Sequence, residues 1–316
     1  MMVSIDVRRT AAVLSASLLI VLALPVGATA ATARCRGMKA TVVGTAGDDQ
    51  LGGTDGNDVI VGKGGADEIS ASGGNDVICG GGGPDAIIGG SGRDKISGGA
   101  GGDVLVPGSD DDSVAGGKGF DYIDYIDADS GVTIDMSARR TTGSGVDRFN
   151  GIEGAVGSGQ NDTLVGSDAV DDLIGGSGND ALFGKGENDL LHGGFGDDSL
   201  DGGDGAQDVA SFAGAASAVT ADLADGTASG EGADTLSNVE GLAGSDNGDT
   251  FRGNDGSNGL FGGLGGDTLD GRGGNDVVRG EAGDDNLDGG AGTDSLDGGD
   301  GTDACANGEQ ANACES

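Results

Sequence analysis

Large side chains are scarce in this sequence. Its 316 residues include seven Phe, two Tyr and no Trp, so there is little from which to build a globular core of ordinary thickness. Proline is down to three, which excludes a collagen-type triple helix despite 72 glycines. Basic residues are few: Lys plus Arg number 16 against 54 Asp plus Glu, for a formal charge of −38. Nucleic acid and anionic membranes are poor partners for such a chain, and divalent cations are good ones. There is one histidine, His192, and no H-E-x-x-H. A zinc protease and a Ser–His–Asp or Cys–His site therefore lack their parts, and no enzyme is expected. The same composition is found in disordered linkers. The order of the residues decides against that reading.

Long apolar runs are absent except at the start. Arg8 and Arg9 precede the run Ala11–Leu24, and Ala28-Thr-Ala30 follows. A basic segment, a short apolar segment and a small-residue site describe a secretory signal peptide over residues 1–30. Its removal would leave a charge of −39. The expected location is extracellular, with no membrane span in the processed chain. Export leads to an oxidising compartment, where four cysteines read as two disulfides with three possible pairings, or else as free or intermolecular thiols. Cys305 and Cys314 are near neighbours in sequence. Pairing them leaves Cys35 with Cys79, one bridge at each end.

What the chain has is a period. From Gly44 it falls into nines, G-T-A-G-D-D-Q-L-G, G-T-D-G-N-D-V-I-V and onward, without a slip to Asp124. A second block covers 157–210 and a third 244–306. In these 22 repeats the sixth place is Asp in 20, the exceptions being Gln207 (with Asp208 one place late) and Asn258; the eighth is Ile, Leu, Val or Phe in 21. Glycine at places one, two and four permits positive φ and a tight turn. Places seven to nine form a three-residue strand whose middle side chain points inward. Two repeats close one coil of 18 residues, and stacked coils make two parallel sheets. The expected fold is all-β, a parallel β-roll or β-helix solenoid. Its core is one aliphatic residue per nine, too thin to offset the entropy of ordering the rest. Place-six carboxylates stack in columns and repel unless a cation lies between them. Hard oxygen donors in flexible turns suit Ca2+ better than Mg2+ or Zn2+.

The repeats resemble the RTX, or hemolysin-type, nonapeptide G-G-x-G-x-D-x-U-x. The segments A-T-V-V-G-T-A-G-D-D, V-I-C-G-G and D-A-C-A-N-G-E are similar to those of secreted actinobacterial calcium-binding proteins of that family. The resemblance implies that each ion sits between turns 18 residues apart, held by both place-six Asp residues and by turn carbonyls. Carried onto this chain, the ligands are Asp49, Asp58, Asp67, Asp76, Asp85, Asp94, Asp103, Asp112 and Asp121 in the first block. The second supplies Asp162, Asp171, Asp180, Asp189 and Asp198, and the third Asp249, Asp267, Asp276, Asp285, Asp294 and Asp303. Pro107, Asp110, Gln160, Ala169, Glu187 and Asn247 replace turn glycines, so about ten to fourteen ions are expected.

Two spacers, 125–156 and 211–243, interrupt the nines. They are copies of each other, offset by 87 residues: V-T-I-D-M at 132–136 meets V-T-A-D-L at 219–223, and Glu153 meets Glu240. Alternating apolar residues predict short strands that continue the roll. Residues 31–43 and 307–316 are expected to cap its open ends. Asp127-Ala-Asp129 opens like an EF-hand loop, but place twelve is Ala138. The expected function is that of a secreted, monomeric, calcium-dependent scaffold or calcium binder. A calcium-dependent adhesion module for a surface glycan or protein is the alternative.

Overall fold

The computed structural model describes residues 33–314, which contain strands, turns and no helix. The export signal read at residues 1–30 lies outside the described residues. The chain divides into two compact units, one up to Gly159 and one from Gln160. Each is a parallel β-solenoid of 18-residue coils.

In the first unit one sheet stacks the place-eight residues Leu51, Ile69, Ile87, Leu105 and Ile123 in register, ending on Ala155. The other stacks Ile60, Ile78, Ile96, Val114 and Phe149. From Ile60 to Ile123 these inward residues are at most 2% exposed, so the whole core is two facing ladders. In the second unit the ladders run Leu173, Leu191, Ala210, Leu242, Leu260, Val278, Leu296 and Leu164, Leu182, Leu200, Leu236. Ala210, rather than Val209, is the inward residue here. The extra residue before Asp208 is absorbed in the turn, which moves both the carboxylate and the strand register on by one.

The strands are longer than the repeat predicts. Val77–Gly82, Ala86–Ser91, Lys95–Ala100 and their successors run six residues, through place nine into the next turn. Gly81 pairs with Gly99 and Gly82 with Ala100 because identical turns 18 residues apart continue the same ladder. The glycines also divide their work differently from the expectation. Positive φ occurs at places two and four, as in Gly81 and Gly83, and place two accepts Lys63, Lys185 and Arg272 in that conformation. Place one is glycine for want of room, as described below.

Each spacer adds an antiparallel excursion to one sheet. In the second unit Thr220–Asp222 lies two places ahead, Thr227–Ser229 turns back beside it, and Ala233–Ser237 returns to pair with Ser199–Asp204. Thr220–Asp222 then receives Thr250–Arg252 in parallel. Thr133–Asp135, Arg140–Thr142 and Arg148–Asn150 make the same three strands in the first unit. The disulfides are Cys35–Cys79 and Cys305–Cys314, with Cα atoms 5.7 and 5.8 Å apart. Cys35 is buried with Ala40, Val61 and Val77 under the short hairpin Arg34–Lys39.

Candidate metal centre

The place-six aspartates form columns along the turn edges of each unit. Their Oδ1 atoms have a backbone job: the carboxylate of each turn accepts the N–H of the Asp 18 residues earlier. Asp67 takes the N–H of Asp49 at 2.9 Å, Asp76 that of Asp58 at 2.7 Å, and Asp121 that of Asp103 at 2.8 Å. Asp180, Asp198, Asp267 and Asp285 take those of Asp162, Asp180, Asp249 and Asp267. Asp294 and Asp303 do the same for Asp276 and Asp285. One donor per carboxylate aligns the column but leaves its second oxygen unanswered.

Those second oxygens fall into two classes. In the first turns of a block, the turn itself supplies donors. Asp49 Oδ2 accepts from Thr45 N and Thr45 Oγ1, and Asp58 Oδ2 from Thr54 N and Oγ1 at 2.7 and 2.8 Å. Asp171 is served by Ser167 N, and Asp249 by Ser245 N and Oγ. Cationic side chains complete these starts, with Lys63 Nζ donating to Gly44 O at 2.6 Å and Arg272 Nη1 to Gly253 O at 3.0 Å. In the glycine turns that follow, place two points its N–H elsewhere: Lys63 N donates to Gly80 O. The Oδ2 atoms of Asp67, Asp76, Asp85, Asp94, Asp103, Asp112 and Asp121 are then buried with no donor. Those of Asp180, Asp189, Asp198, Asp208, Asp267, Asp276, Asp285 and Asp294 are in the same state. Buried charged oxygens without partners are costly, and a row of them calls for a counter-ion.

The space beside each such oxygen is kept open by place one. A Cβ on Gly62 would collide with Asp67 Oδ2 and with the carbonyl oxygen of Gly80; one on Gly80 would collide with Asp85 Oδ2 and meet Gly98 O. Gly184, Gly262 and Gly280 repeat the arrangement. A carboxylate oxygen and a carbonyl oxygen from the next coil therefore share a niche that only glycine leaves free. These are hard, neutral-plus-anionic oxygen donors, the set that suits Ca2+. Among the described residues no three acidic, His or Cys side chains converge as a ready-made cluster, so carbonyls must complete any coordination shell.

Electrostatics separate the classes in the same way. Burial, with the charges of neighbouring column members, pushes Asp85, Asp94, Asp103, Asp198 and Asp276 up to about 6. Asp180, Asp189 and Asp267 reach about 7, and Asp112, beside Asp147, about 8. Asp58 goes the other way. Burial alone would raise it, but hydrogen bonds from Thr54 and Thr41 outweigh that and hold it below the usual carboxylate value.

The columns contain residues that the nonapeptide frame omits. Asp208, one place late, accepts the N–H of Asp189 at 2.8 Å. Asp147 and Asp234 stand in the spacers and take the N–H of Asp112 and Asp198. Glu153, Glu240 and Glu309 close columns by accepting from Asp121, Asp208 and Asp294. The 87-residue offset between spacers was the available signal, since it superposes Asp147 on Asp234 and Glu153 on Glu240. His192 is a correction. It is 7% exposed rather than facing solvent, because its strand's outer face is lined by Ile174, Leu190 and Val209, and Asp172 Oδ1 lies 3.6 Å from its Nε2. Desolvation keeps its pKa low despite that neighbour.

Comparison with curated proteins finds none that matches the chain. The family model of the RTX calcium-binding nonapeptide repeat matches it in overlapping copies over 52–131, 141–206 and 243–305. That is well over half of the sequence, and it covers the stretches that build the aspartate columns. The chain belongs to the family of RTX calcium-binding nonapeptide-repeat proteins.

Proposed function

We propose that this is an exported calcium-binding β-roll that becomes ordered when Ca2+ bridges its aspartate columns, and that it serves outside the cell as a scaffold or calcium binder. The observation that carries the reading is the row of buried, donorless Oδ2 atoms, each beside a niche reserved by a place-one glycine. One ion per such niche would answer the unpaired oxygen and remove the repulsion along the column. The turns that open each block, with Thr, Ser, Lys and Arg in place of the ion, would order without metal and offer an edge on which later coils stack. Binding stabilises only the folded state, by about 1.4 kcal/mol per site at free calcium tenfold above the dissociation constant. Many weak sites thus add to a sharp transition.

Circular dichroism of the processed protein, titrated from chelator to millimolar calcium, tests the proposal. Strand signal should grow cooperatively with Ca2+ and fail to do so with Mg2+. Full strand content in chelator at neutral pH would overturn the switch.

A further inference from the structure

The first spacer holds a second acidic feature that the nonapeptide columns do not explain. A solvent-open cavity of about 360 Å³ lies at the corner where the chain leaves the last repeat of the first block. Asp110, Asp124, Asp127 and Asp129 line it, no Lys or Arg does, and Val106, Ala128 and the Tyr125 ring give it an apolar wall. Asp124 is 2% exposed. Its Oδ1 accepts the N–H of Ile126 at 2.8 Å, and no protein donor reaches its other oxygen. Burial, then the charge of Asp127, pushes this carboxyl up to about 6. A carboxylate sunk in a cavity with three others needs a cation.

The second spacer is an internal control. At the 87-residue offset, Asp124, Asp127 and Asp129 become Ser211, Gly214 and Ala216. The backbone excursion does not require these acids, since the copy makes the same strands without them.

The cavity is larger than an inorganic ion needs. Calcium asks for six to eight oxygens at about 2.3–2.6 Å, yet these side chains do not converge on a point. A volume of this size with a partly apolar lining suits an organic ligand. We propose that the pocket binds a primary alkylammonium group, the methylene stem against Tyr125 and Val106 and the charged head at Asp124 and Asp127. A free diamine and the lysine side chain of a peptide both carry that chemistry.

Isothermal titration of the calcium-saturated full chain tests this, in 150 mM salt to screen diffuse attraction to an acidic protein. Cadaverine should bind once per chain, and Asp124→Ser, which installs the second spacer's residue, should weaken it at least tenfold. Asp129→Ala, at the exposed rim, should weaken it less. Calcium uptake and strand signal should be unchanged in both variants, which separates this test from that of the calcium switch. Acetyl-Gly-Lys-Gly-amide binding more tightly than cadaverine would identify a lysine side chain as the source, and the reverse order a free diamine. The proposal fails if neither probe binds, if Asp124→Ser binds cadaverine as well as the parent, or if that variant loses one equivalent of calcium.

Discussion

The two spacers share a backbone and differ in how they treat one carboxylate. In the first, Asp147 Oδ2 accepts from Tyr125 Oη at 2.6 Å and from Thr141 Oγ1 at 2.7 Å, all three side chains being buried. In the second, the corresponding positions are Asp234, Phe212 and Ala228, and both hydroxyls are gone. Phe212 packs instead against Phe251, with ring centres 6.3 Å apart. Glu231 joins Asp234 and Asp198 there, and burial followed by their mutual charge raises Glu231. One spacer neutralises its column with its own hydroxyls; the other leaves the acids bare. The contrast between Thr turns and Gly turns inside the blocks is the same one. A carboxylate in this fold can be answered by the protein or by a cation, and the sequence chooses turn by turn.

The largest test of that comparison is acidification without metal. Column carboxyls such as Asp112, Asp180, Asp189 and Asp267 are raised in the folded state. A folded pKa above the unfolded value means that the native state holds extra protons. The stability this gives is fully present below the unfolded value, near 4, and is lost as pH rises through about 6 to 8. In chelator, strand signal should therefore increase on going from pH 8 to pH 5. Amide exchange should show the gain around Asp198, Glu231 and Asp234 and less around Thr45 and Thr54. In calcium the trend should reverse, because protons compete for the same oxygens. An unchanged spectrum in chelator across that range would break the comparison.

Making the first spacer like the second is the next largest perturbation. Tyr125→Phe with Thr141→Ala removes both donors to Asp147 and leaves a buried charge unanswered. Each lost partner costs about 1–3 kcal/mol. The double variant should unfold at lower denaturant in chelator, and part of the loss should be recovered by calcium. The reverse exchange, Phe212→Tyr with Ala228→Thr, should lower the calcium concentration needed for folding. Equal calcium dependence in parent and double variant would show that the hydroxyls are incidental.

Much of this was legible in the sequence. The period of nine places Leu51 through Ile123 inward, and the Asp at place six sets the columns. A strict repeat leaves little freedom in how coils stack. Less legible was what depends on the second oxygen of each carboxylate. Thr45, Thr54, Ser167 and Ser245 sit at a place that the repeat reads as a turn glycine, and their donor role shows only when the turn closes around the Asp. Glu153, Glu240 and Glu309 act over separations of 32, 32 and 15 residues, beyond any nine-residue frame. Place one was read as a positive-φ glycine, whereas its constraint comes from the next coil, through Gly80 O over Gly62. His192 was misplaced because outward positions were assumed to be wet.

The smallest expected effect is at Thr54. Its hydroxyl donates to Asp58 Oδ2 at 2.8 Å and accepts from Gly56 N at 3.2 Å, while its backbone N–H to the same carboxylate is untouched by substitution. Thr54→Val keeps the shape and removes the hydroxyl, a loss of about 1 kcal/mol. That loss should be similar with and without calcium, since the turn answers its own carboxylate. Asp58 also carries the opposite pH sign to the glycine turns. Its folded pKa is depressed, so its contribution is present above the unfolded value and lost as pH falls through the folded one. NMR titration of Asp58 should show its pKa move up in Thr54→Val. A calcium-dependent penalty, or a carboxyl that does not move, would mean that Thr turns and Gly turns are answered by the same ion.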